Sequence, residues 1–393
     1  MEKKLTMSNK EINRLPVIKE CLEKRITVVH ASELMRISER HTYRILKRYR
    51  AGEANGIIHR GRGKKSNRGY PEAVKQQVLS LYWKKYRDFG PTLFSEKLKE
   101  YEGIDLNHET VRRWMRDNGI ITQERKKRPH RRRRERRSSF GAMLQLDGSH
   151  HDWFEGRGPM CCLLNMVDDA TGSVYLRFSD GENTVSVLSL LMNYCLQYGI
   201  PGSVYTDYHG VYYGDGKPTD YQRALKKLDI ETIYARSPQA KGRVERSNRT
   251  HQDRLVKEMR LRQISTIDDA NKFLDEYFIA HYNEKFMVES CGGNVHRSCD
   301  GLALEQIFCF ENRRQIKNDY TFSFQGIDYQ IEHSEAIMPH AGDSVFIRDY
   351  LDASRHIFSA AGEELSIRQL KKLKKKDKGA VTHFPADNHP WRQ

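Results

Sequence analysis

The 393-residue sequence predicts a multidomain protein with all-α units at the N-terminus, a central α/β core and a small β-barrel at the C-terminus. Helical spacing of apolar residues dominates up to about residue 120, strand-like segments begin near residue 142, and short strands separated by turns return after residue 320. The length corresponds to two or three domains at about 150 residues each.

Composition and charge narrow the class of protein. The chain has 68 Lys and Arg against 52 Asp and Glu, a formal net charge of +16, which favours a polyanionic partner. No run of 18 apolar residues occurs and the start lacks a signal-peptide pattern, so we expect no membrane contact. Seven cysteines without regular spacing suit reduced thiols and predict a cytoplasmic protein.

A helix-turn-helix is predicted for residues 1–50. Two short helices at 28–38 and 39–49 carry apolar residues at packing distance, and Ser38 is a suitable N-cap for the second. The second helix has a basic open face, as a DNA recognition helix requires. A plain helical hairpin with a basic surface fits the same spacing. The predicted DNA contacts are Arg40, Arg44, Lys47 and Arg48.

A second helix-turn-helix domain is predicted for residues 71–120, after a flexible basic linker at 51–70. Thr92 is the expected cap of its middle helix and Asn107 that of its last. Two such modules on one chain favour DNA binding, because tandem modules raise the effective concentration at a longer site. The predicted contacts in the last helix are Arg112, Arg113 and Arg116.

The densest positive charge lies in an Arg-rich linker predicted for residues 121–138. Residues 124–137 hold ten Lys or Arg and two Glu, a net charge of +8. Such a block repels itself and has little to bury, so we expect an extended segment that binds a phosphate backbone. A merely solvated surface is the alternative. The predicted contacts are Arg131, Arg132, Arg133 and Arg134.

Residues 139–290 predict the α/β core. Three strands, a long helix at 184–198, a strand at 203–206, a short helix and a strand at 231–235 precede further helices. This order is that of a ribonuclease-H-like core with a five-stranded mixed sheet. Asp147 lies at the first strand, Asp207 follows the fourth, and Glu245 lies on the helix after the fifth.

The segments around these three acids resemble the DDE core of retroviral integrases and insertion-sequence transposases, and look closest to the ISNCY type. The resemblance rests on Leu146–Gly148, on Tyr205–Asp207 and on Ser237–Asn248, which reads SPQAKGRVERSN. The Pro-Gln-x-x-Gly-x-x-Glu pattern in the last segment is specific, whereas an isolated Asp-Gly is not. The likeness in domain order extends over nearly the whole chain.

This resemblance implies a transposase that binds the terminal repeats of an insertion sequence, cleaves its 3′ ends and joins them to target DNA. Asp147, Asp207 and Glu245 would be catalytic and would hold two Mg²⁺ ions, with Mn²⁺ as a substitute. Phosphoryl transfer is stabilised by two such ions about 3.5–4 Å apart, and Mg²⁺ prefers oxygen ligands.

The resemblance also implies partners for the enzyme. The family holds DNA on the helix that carries the glutamate, which implies DNA contacts for Lys241, Asn248 and Arg249. Joining two ends in one event implies a homo-oligomer, a dimer or a tetramer, on double-stranded DNA. The bacterial nucleoid in the cytoplasm is the implied location.

Three other groups of residues could be taken for metal sites. Asp168 and Asp169 stand in a hairpin context, Asp-Asp-Ala-Thr-Gly, and we interpret them as structural. Next to Asp147, we expect His150, His151 and Asp152 to line the site or to contact DNA rather than to bind metal. A third group is spaced too irregularly for zinc. It comprises Cys291, His296, Cys299 and Cys309.

Two other functions compete with transposition. A DNA-binding regulator with a catalytically inactive core would keep the helix-turn-helix units but would not need three acids at these places. A ribonuclease H would keep the acids but would not need the helix-turn-helix units. Residues 291–393 are predicted as a small β-barrel with a basic tail, which either contacts DNA or a subunit or only stabilises the chain.

Overall fold

The computed structural model describes residues 7–59, 61, 69–121, 134–235, 241–333 and 339–370. The chain divides into two compact units, Met1–Gln123 and Glu124–Gln393. Among the described residues, no helix combines the length and the apolar character that crossing a membrane requires.

The first three helices form a small bundle in the N-terminal unit. They are α1 (Asn9–Leu22), α2 (Val28–Met35) and α3 (Glu39–Gly52). Ser38 caps α3, as its spacing predicts, because its Oγ accepts a hydrogen bond from the His41 N–H at 3.3 Å. The bundle buries one apolar side of each helix. Its core contains Ile18, Ala31, Ile45 and Leu46.

Three more helices follow in the same unit. They are α4 (Glu72–Lys85), α5 (Pro91–Glu102) and α6 (His108–Asp117). Asn107 caps α6, as expected, by accepting a hydrogen bond from the Glu109 N–H at 2.8 Å. The expectation that Thr92 caps α5 is wrong, since Gly90 is the N-cap and proline occupies the first turn, where its missing N–H costs nothing.

A five-stranded mixed sheet forms the centre of the second unit. Its strands, in the order β3-β2-β1-β4-β5, are antiparallel among the first three and parallel from β1 to β5, which is the predicted ribonuclease-H-like arrangement. The strands are β1 (Leu144–His151), β2 (Cys161–Asp168), β3 (Val174–Ser179), β4 (Ser203–Thr206) and β5 (Glu231–Tyr234).

Helices cover both faces of this sheet. Helices α7 (Thr184–Tyr198) and α8 (Asp220–Lys227) pack on one face around Leu146 and Leu164. Helix α9 (Gly242–Leu261) packs on the other face around Leu163. The same layer contains α10 (Ile267–Phe273), a π-helical turn (Leu274–Phe278) and α11 (Ile279–Phe286).

The C-terminal strands share one apolar core but do not close a barrel over the described residues. They form two three-stranded sheets, β10-β9-β6 and β11-β8-β7, so the predicted barrel is only partly correct. The short helix α12 (Leu304–Ile307) precedes them. The strands are β6 (Phe310–Gln315), β7 (Thr321–Phe324), β8 (Ile327–Ile331), β9 (Ser344–Asp349), β10 (Arg355–Phe358) and β11 (Ile367–Leu370).

Candidate active site

Asp147 lies on β1, the middle strand of the five-stranded sheet. The sequence predicts a strand at 142–146 that runs into Asp147, but β1 continues to His151 because the whole segment pairs with β2. Its Oδ1 accepts a hydrogen bond from Lys241 Nζ at 3.0 Å and its Oδ2 one from Asn248 Nδ2 at 2.8 Å. Burial raises the pKa of this carboxyl above its ordinary value, although the Lys241 ammonium opposes the shift.

Asp207 is the first residue after β4. Strand β4 runs parallel to β1 with Tyr205 opposite Gln145, so Asp207 and Asp147 both stand two residues beyond that pair. Lys241 Nζ lies 3.2 Å from Asp207 Oδ2. The side chain of Asp207 is 48% exposed, against 22% for Asp147. Two carboxylates from parallel strands therefore meet at one ammonium group.

The contacts of Lys241 show which kind of ion the site accommodates. Its side chain is only 6% exposed and forms an ion pair with both aspartates. A cation thus occupies the space between two carboxylates, and carboxylate oxygens are the ligands that Mg²⁺ prefers. The donor set fits a hard divalent cation.

Helix α9 presents the other predicted residues of this region. Glu245 is in its first turn, four residues after Lys241, and its side chain is exposed, as is that of Arg249. Asn248 is buried and is itself held by Asn165, whose Nδ2 donates to Asn248 Oδ1 at 2.7 Å. The structure therefore joins Asp147, Asp207 and Lys241 directly and leaves Glu245 at the exposed side of the helix.

A polar network behind Asp147 fixes the helix to the sheet. Asn165 on β2 also donates to Ser247 Oγ at 3.0 Å, and Ser247 Oγ lies 2.9 Å from His251 Nε2. His251 is fully buried, and burial lowers its pKa to about 3. Since a neutral imidazole needs no counter-ion, this network orients α9 without adding charge beside the carboxylates.

Residues 8–57 match the homeodomain-like domain family. Over most of its length the chain also resembles a protein of Sinorhizobium fredii (strain NBRC 101917 / NGR234) named "Putative transposase y4bF". The two are 36% identical over 88% of this chain and 78% of the relative. The chain belongs to this family of transposases. The transposase for insertion sequence IS1202 of Streptococcus pneumoniae is 26% identical over 97% of this chain and 93% of its own.

Solved integrase structures are more distant from the transposase. A simian T-cell lymphotropic virus intasome with PP2A regulatory subunit B56 gamma matches 74% of this chain and 99% of that chain at a TM-score of 0.35 and 14% identity. The HTLV-2 integrase catalytic core domain in complex with magnesium matches 36% of this chain and 92% of that chain, at a TM-score of 0.30 and 19% identity. The fold assignment rests on the strand order and not on these likenesses.

Most of the DNA contacts predicted for the helices of the N-terminal unit are exposed side chains. On α3, Arg40, Arg44 and Lys47 are exposed, whereas Arg48 is half-buried. On α6, Arg113 and Arg116 are exposed, and Arg112 forms an ion pair with Glu109 at 2.6 Å. The linker residues Arg131, Arg132 and Arg133 lie outside the described residues.

In the transposase, the pair Asp168 and Asp169 is held by contacts with other protein groups. Asp169 is fully buried and accepts hydrogen bonds from Gln145 Nε2 at 2.8 Å and from Arg243 Nη1 at 2.9 Å. The side chain of Arg134, predicted as a DNA contact, pairs with the same carboxylate. In this form the described end of the Arg-rich linker is therefore attached to the core.

The sequence patterns do not predict a role for Glu182, a further acidic residue of this region. Glu182 precedes α7, is 13% exposed, and its Oε1 accepts a hydrogen bond from the Tyr212 hydroxyl at 2.5 Å. Its carboxylate lies where a Cβ on Gly148 would be, with Oε2 at 2.3 Å from that position. The Asp-Gly pair at 147–148 was the available signal, because a glycine after a strand aspartate can mark a close approach.

The fold groups the other candidate metal ligands differently from their order in the sequence. His150 lies with Cys162 and Glu182, and the ligand atoms of the three lie within 4.8 Å of one another. His296 Nε2 lies 2.8 Å from the Tyr194 hydroxyl. The cysteines at 291, 299 and 309 are free thiols, exposed, half-buried and buried respectively.

Proposed function

We propose that this transposase cleaves the 3′ ends of its insertion sequence and joins them to target DNA, with Asp147, Asp207 and Glu245 as its catalytic triad. The observation that carries the proposal is the meeting of Asp147 and Asp207 around one cation, Lys241, at 3.0 and 3.2 Å. Glu245 completes the triad from the first turn of α9, one helical turn after Lys241.

Bound at these carboxylates, two Mg²⁺ ions would stabilise the charge that develops on the attacking and leaving oxygens of the phosphoryl transfer. The residues of the chain orient this site. Asn248 fixes one oxygen of Asp147, and Asn165 fixes Asn248 from β2. Lys241 neutralises both aspartates before DNA arrives, and its ammonium then pairs with a DNA phosphate. Arg249, exposed on the same helix, makes a second phosphate contact.

In this proposal, the two helical modules recognise the insertion sequence. The exposed side chains of Arg40, Arg44 and Lys47 on α3 face the terminal repeat, with Arg48 beside them. The arginines of α6 and of the Arg-rich linker bind neighbouring backbone phosphates. Two ends must be joined in one event, so the enzyme acts as a dimer or a tetramer on DNA, at the bacterial nucleoid.

A strand-transfer assay tests the proposal. A labelled duplex that carries the inverted repeat flanking the gene is incubated with Mg²⁺ and full-length protein, either wild type or Glu245→Gln. Glu276→Gln is a matched control, because Glu276 is also an exposed glutamate on a core helix segment. We expect joined products from the wild type and the control, and a loss of at least about a hundredfold for Glu245→Gln.

Two other results would overturn parts of the proposal. Salt-sensitive binding of the duplex with no cleavage by any of the three proteins would identify a DNA-binding regulator with an inactive core. Equal activity of Glu245→Gln and wild type would show that Glu245 is not the third carboxylate, and the triad would have to be sought elsewhere on α9.

A further inference from the structure

Two residues outside the predicted triad connect the loop that carries Asp207 to the strand that carries Asp147. The loop begins at Asp207 and turns back on itself, with the His209 N–H donating to Asp207 Oδ1 at 3.1 Å. The Tyr212 N–H then donates to the His209 carbonyl at 2.9 Å, which ends the turn. Tyr212 is fully buried, so the end of this loop is anchored in the core.

The anchor of the loop is polar. The Tyr212 hydroxyl donates to Glu182 Oε1, and the Tyr212 carbonyl accepts a hydrogen bond from the Tyr234 hydroxyl at 3.0 Å. Tyr212 also packs edge-on against Tyr221, with ring centroids 5.1 Å apart. Tyr212 is therefore restrained at its ring, its carbonyl and its hydroxyl, and the hydroxyl restraint is supplied by one carboxylate.

The carboxylate of Glu182 contacts β1 at Gly148, the residue after Asp147. A methyl group at Gly148 would lie 2.3 Å from Glu182 Oε2 and 2.5 Å from its Cδ, so the glycine leaves room for the acid. Glu182 thus contacts the Asp147 strand with its carboxylate and the Asp207 loop through Tyr212. This connection is independent of Lys241, which joins the same two aspartates directly.

Glu182 affects the site through its negative charge as well as through its position. Its side chain is largely shielded from water and brings its carboxylate to the residue after Asp147. Beside the ion pairs of Lys241 with the two aspartates, this carboxylate adds a further negative charge to the site, and like charges repel more strongly where water is scarce. A divalent cation removes that repulsion on binding.

We propose that Glu182, held by Tyr212, is a positioning residue that fixes Asp207 relative to Asp147 and strengthens the binding of divalent cations between them. The inference rests on the proposed function of the two aspartates. Groups that orient metal ligands change metal affinity by about 10–100-fold when they are removed, although they do not touch the metal.

The test compares two tyrosine hydroxyls in the full-length protein. Tyr212→Phe removes the hydrogen bond to Glu182 and keeps the ring. Tyr194→Phe is the matched control, since Tyr194 is also buried and its hydroxyl pairs with His296 rather than with Glu182. Mn²⁺ binding is titrated by electron paramagnetic resonance in the absence of DNA, and the melting temperature of each variant is recorded.

We expect Tyr212→Phe to weaken Mn²⁺ binding about tenfold and Tyr194→Phe to leave it at the wild-type value, even if both melt at lower temperature. Glu182→Gln keeps a hydrogen-bond acceptor for Tyr212 and loses the charge, so it should weaken binding to a similar extent. Wild-type Mn²⁺ affinity in either Tyr212→Phe or Glu182→Gln would overturn the inference.

The same titration separates this inference from the proposed function. If the wild type binds Mn²⁺ and the two variants bind it weakly, the positioning role holds even when no strand transfer is found. If strand transfer requires Asp147 and Asp207 while the variants keep wild-type Mn²⁺ affinity, the proposed function stands and the positioning role of Glu182 fails.

Discussion

The core of the transposase contains two pairs of aspartates in contrasting environments. Asp168 and Asp169 are buried, and each accepts several hydrogen bonds from backbone amides or neighbouring side chains. Asp147 and Asp207 are more exposed and share a single ammonium group. The comparison teaches that acids on the same sheet differ in exposure and in how many protein groups hold them, and the more exposed pair is the one to which the proposed function assigns the metal.

The first test of this contrast removes Asp169, one of the two buried aspartates. Asp169→Ala deprives Gln145 and Arg243 of their acceptor, and breaking such a buried ion pair costs about 3–5 kcal/mol of the free energy of unfolding. The measurement is urea denaturation followed by circular dichroism. We expect the same loss with EDTA and with Mg²⁺. A larger loss in Mg²⁺ than in EDTA would place a metal at this buried pair, because only the wild type would then be stabilised by the ion.

The second test exchanges the cation of the candidate site. Lys241→Gln leaves Asp147 largely buried without its ammonium partner, and we expect a loss of about 2 kcal/mol in the free energy of unfolding in EDTA. Millimolar Mg²⁺ should restore most of it, because a divalent cation can take the place of the ammonium. Lys257→Gln is the control, since Lys257 pairs with an aspartate on the surface of α9. A deficit unchanged by Mg²⁺ would contradict the exchange.

The smallest expected effect concerns pH. The pKa of Asp147 is raised in the folded protein above its ordinary value of 3.8, so its contribution to stability is present below that pH and is lost as pH rises through the folded pKa. Asp147→Asn removes this contribution. We therefore expect the unfolding free energy of wild type minus that of Asp147→Asn, measured in EDTA, to fall as pH rises from 4 upward. A difference that grows with pH would mean that Lys241 dominates.

Sequence reasoning predicted the order of the elements well, because their signals are local. The helix Thr184–Tyr198 and the strand Ser203–Thr206 have the predicted bounds, since a cap and a glycine or proline stop mark the ends. The end of β1 was wrong for the opposite reason. Its continuation to His151 depends on pairing with Cys161 on β2, which only the folded sheet provides.

The candidate site was predictable in part. A specific motif predicted Glu245, two further segments of the resemblance predicted the aspartates, and the parallel pairing of β1 with β4 explains how those two meet. Two features were not accessible from spacing. Glu182 reaches Gly148 from a loop 34 positions away, and Lys241 pairs with aspartates at long range, whereas its helical position predicted only a DNA contact. The catalytic and metal-binding roles of all three acids, and the DNA contacts, remain predictions.

The pairing of β1 with β4 also bears on when the candidate site can form during synthesis of the chain. Asp147 and Asp207 are 60 positions apart in the sequence, and β4 reaches β1 only through α7 after the β1–β3 hairpins. A ribosome must therefore release the chain past residue 207 before the two carboxylates can meet. By then the homeodomain-like domain at residues 8–57 has long been synthesised, so a growing chain acquires that domain before its two aspartates come together.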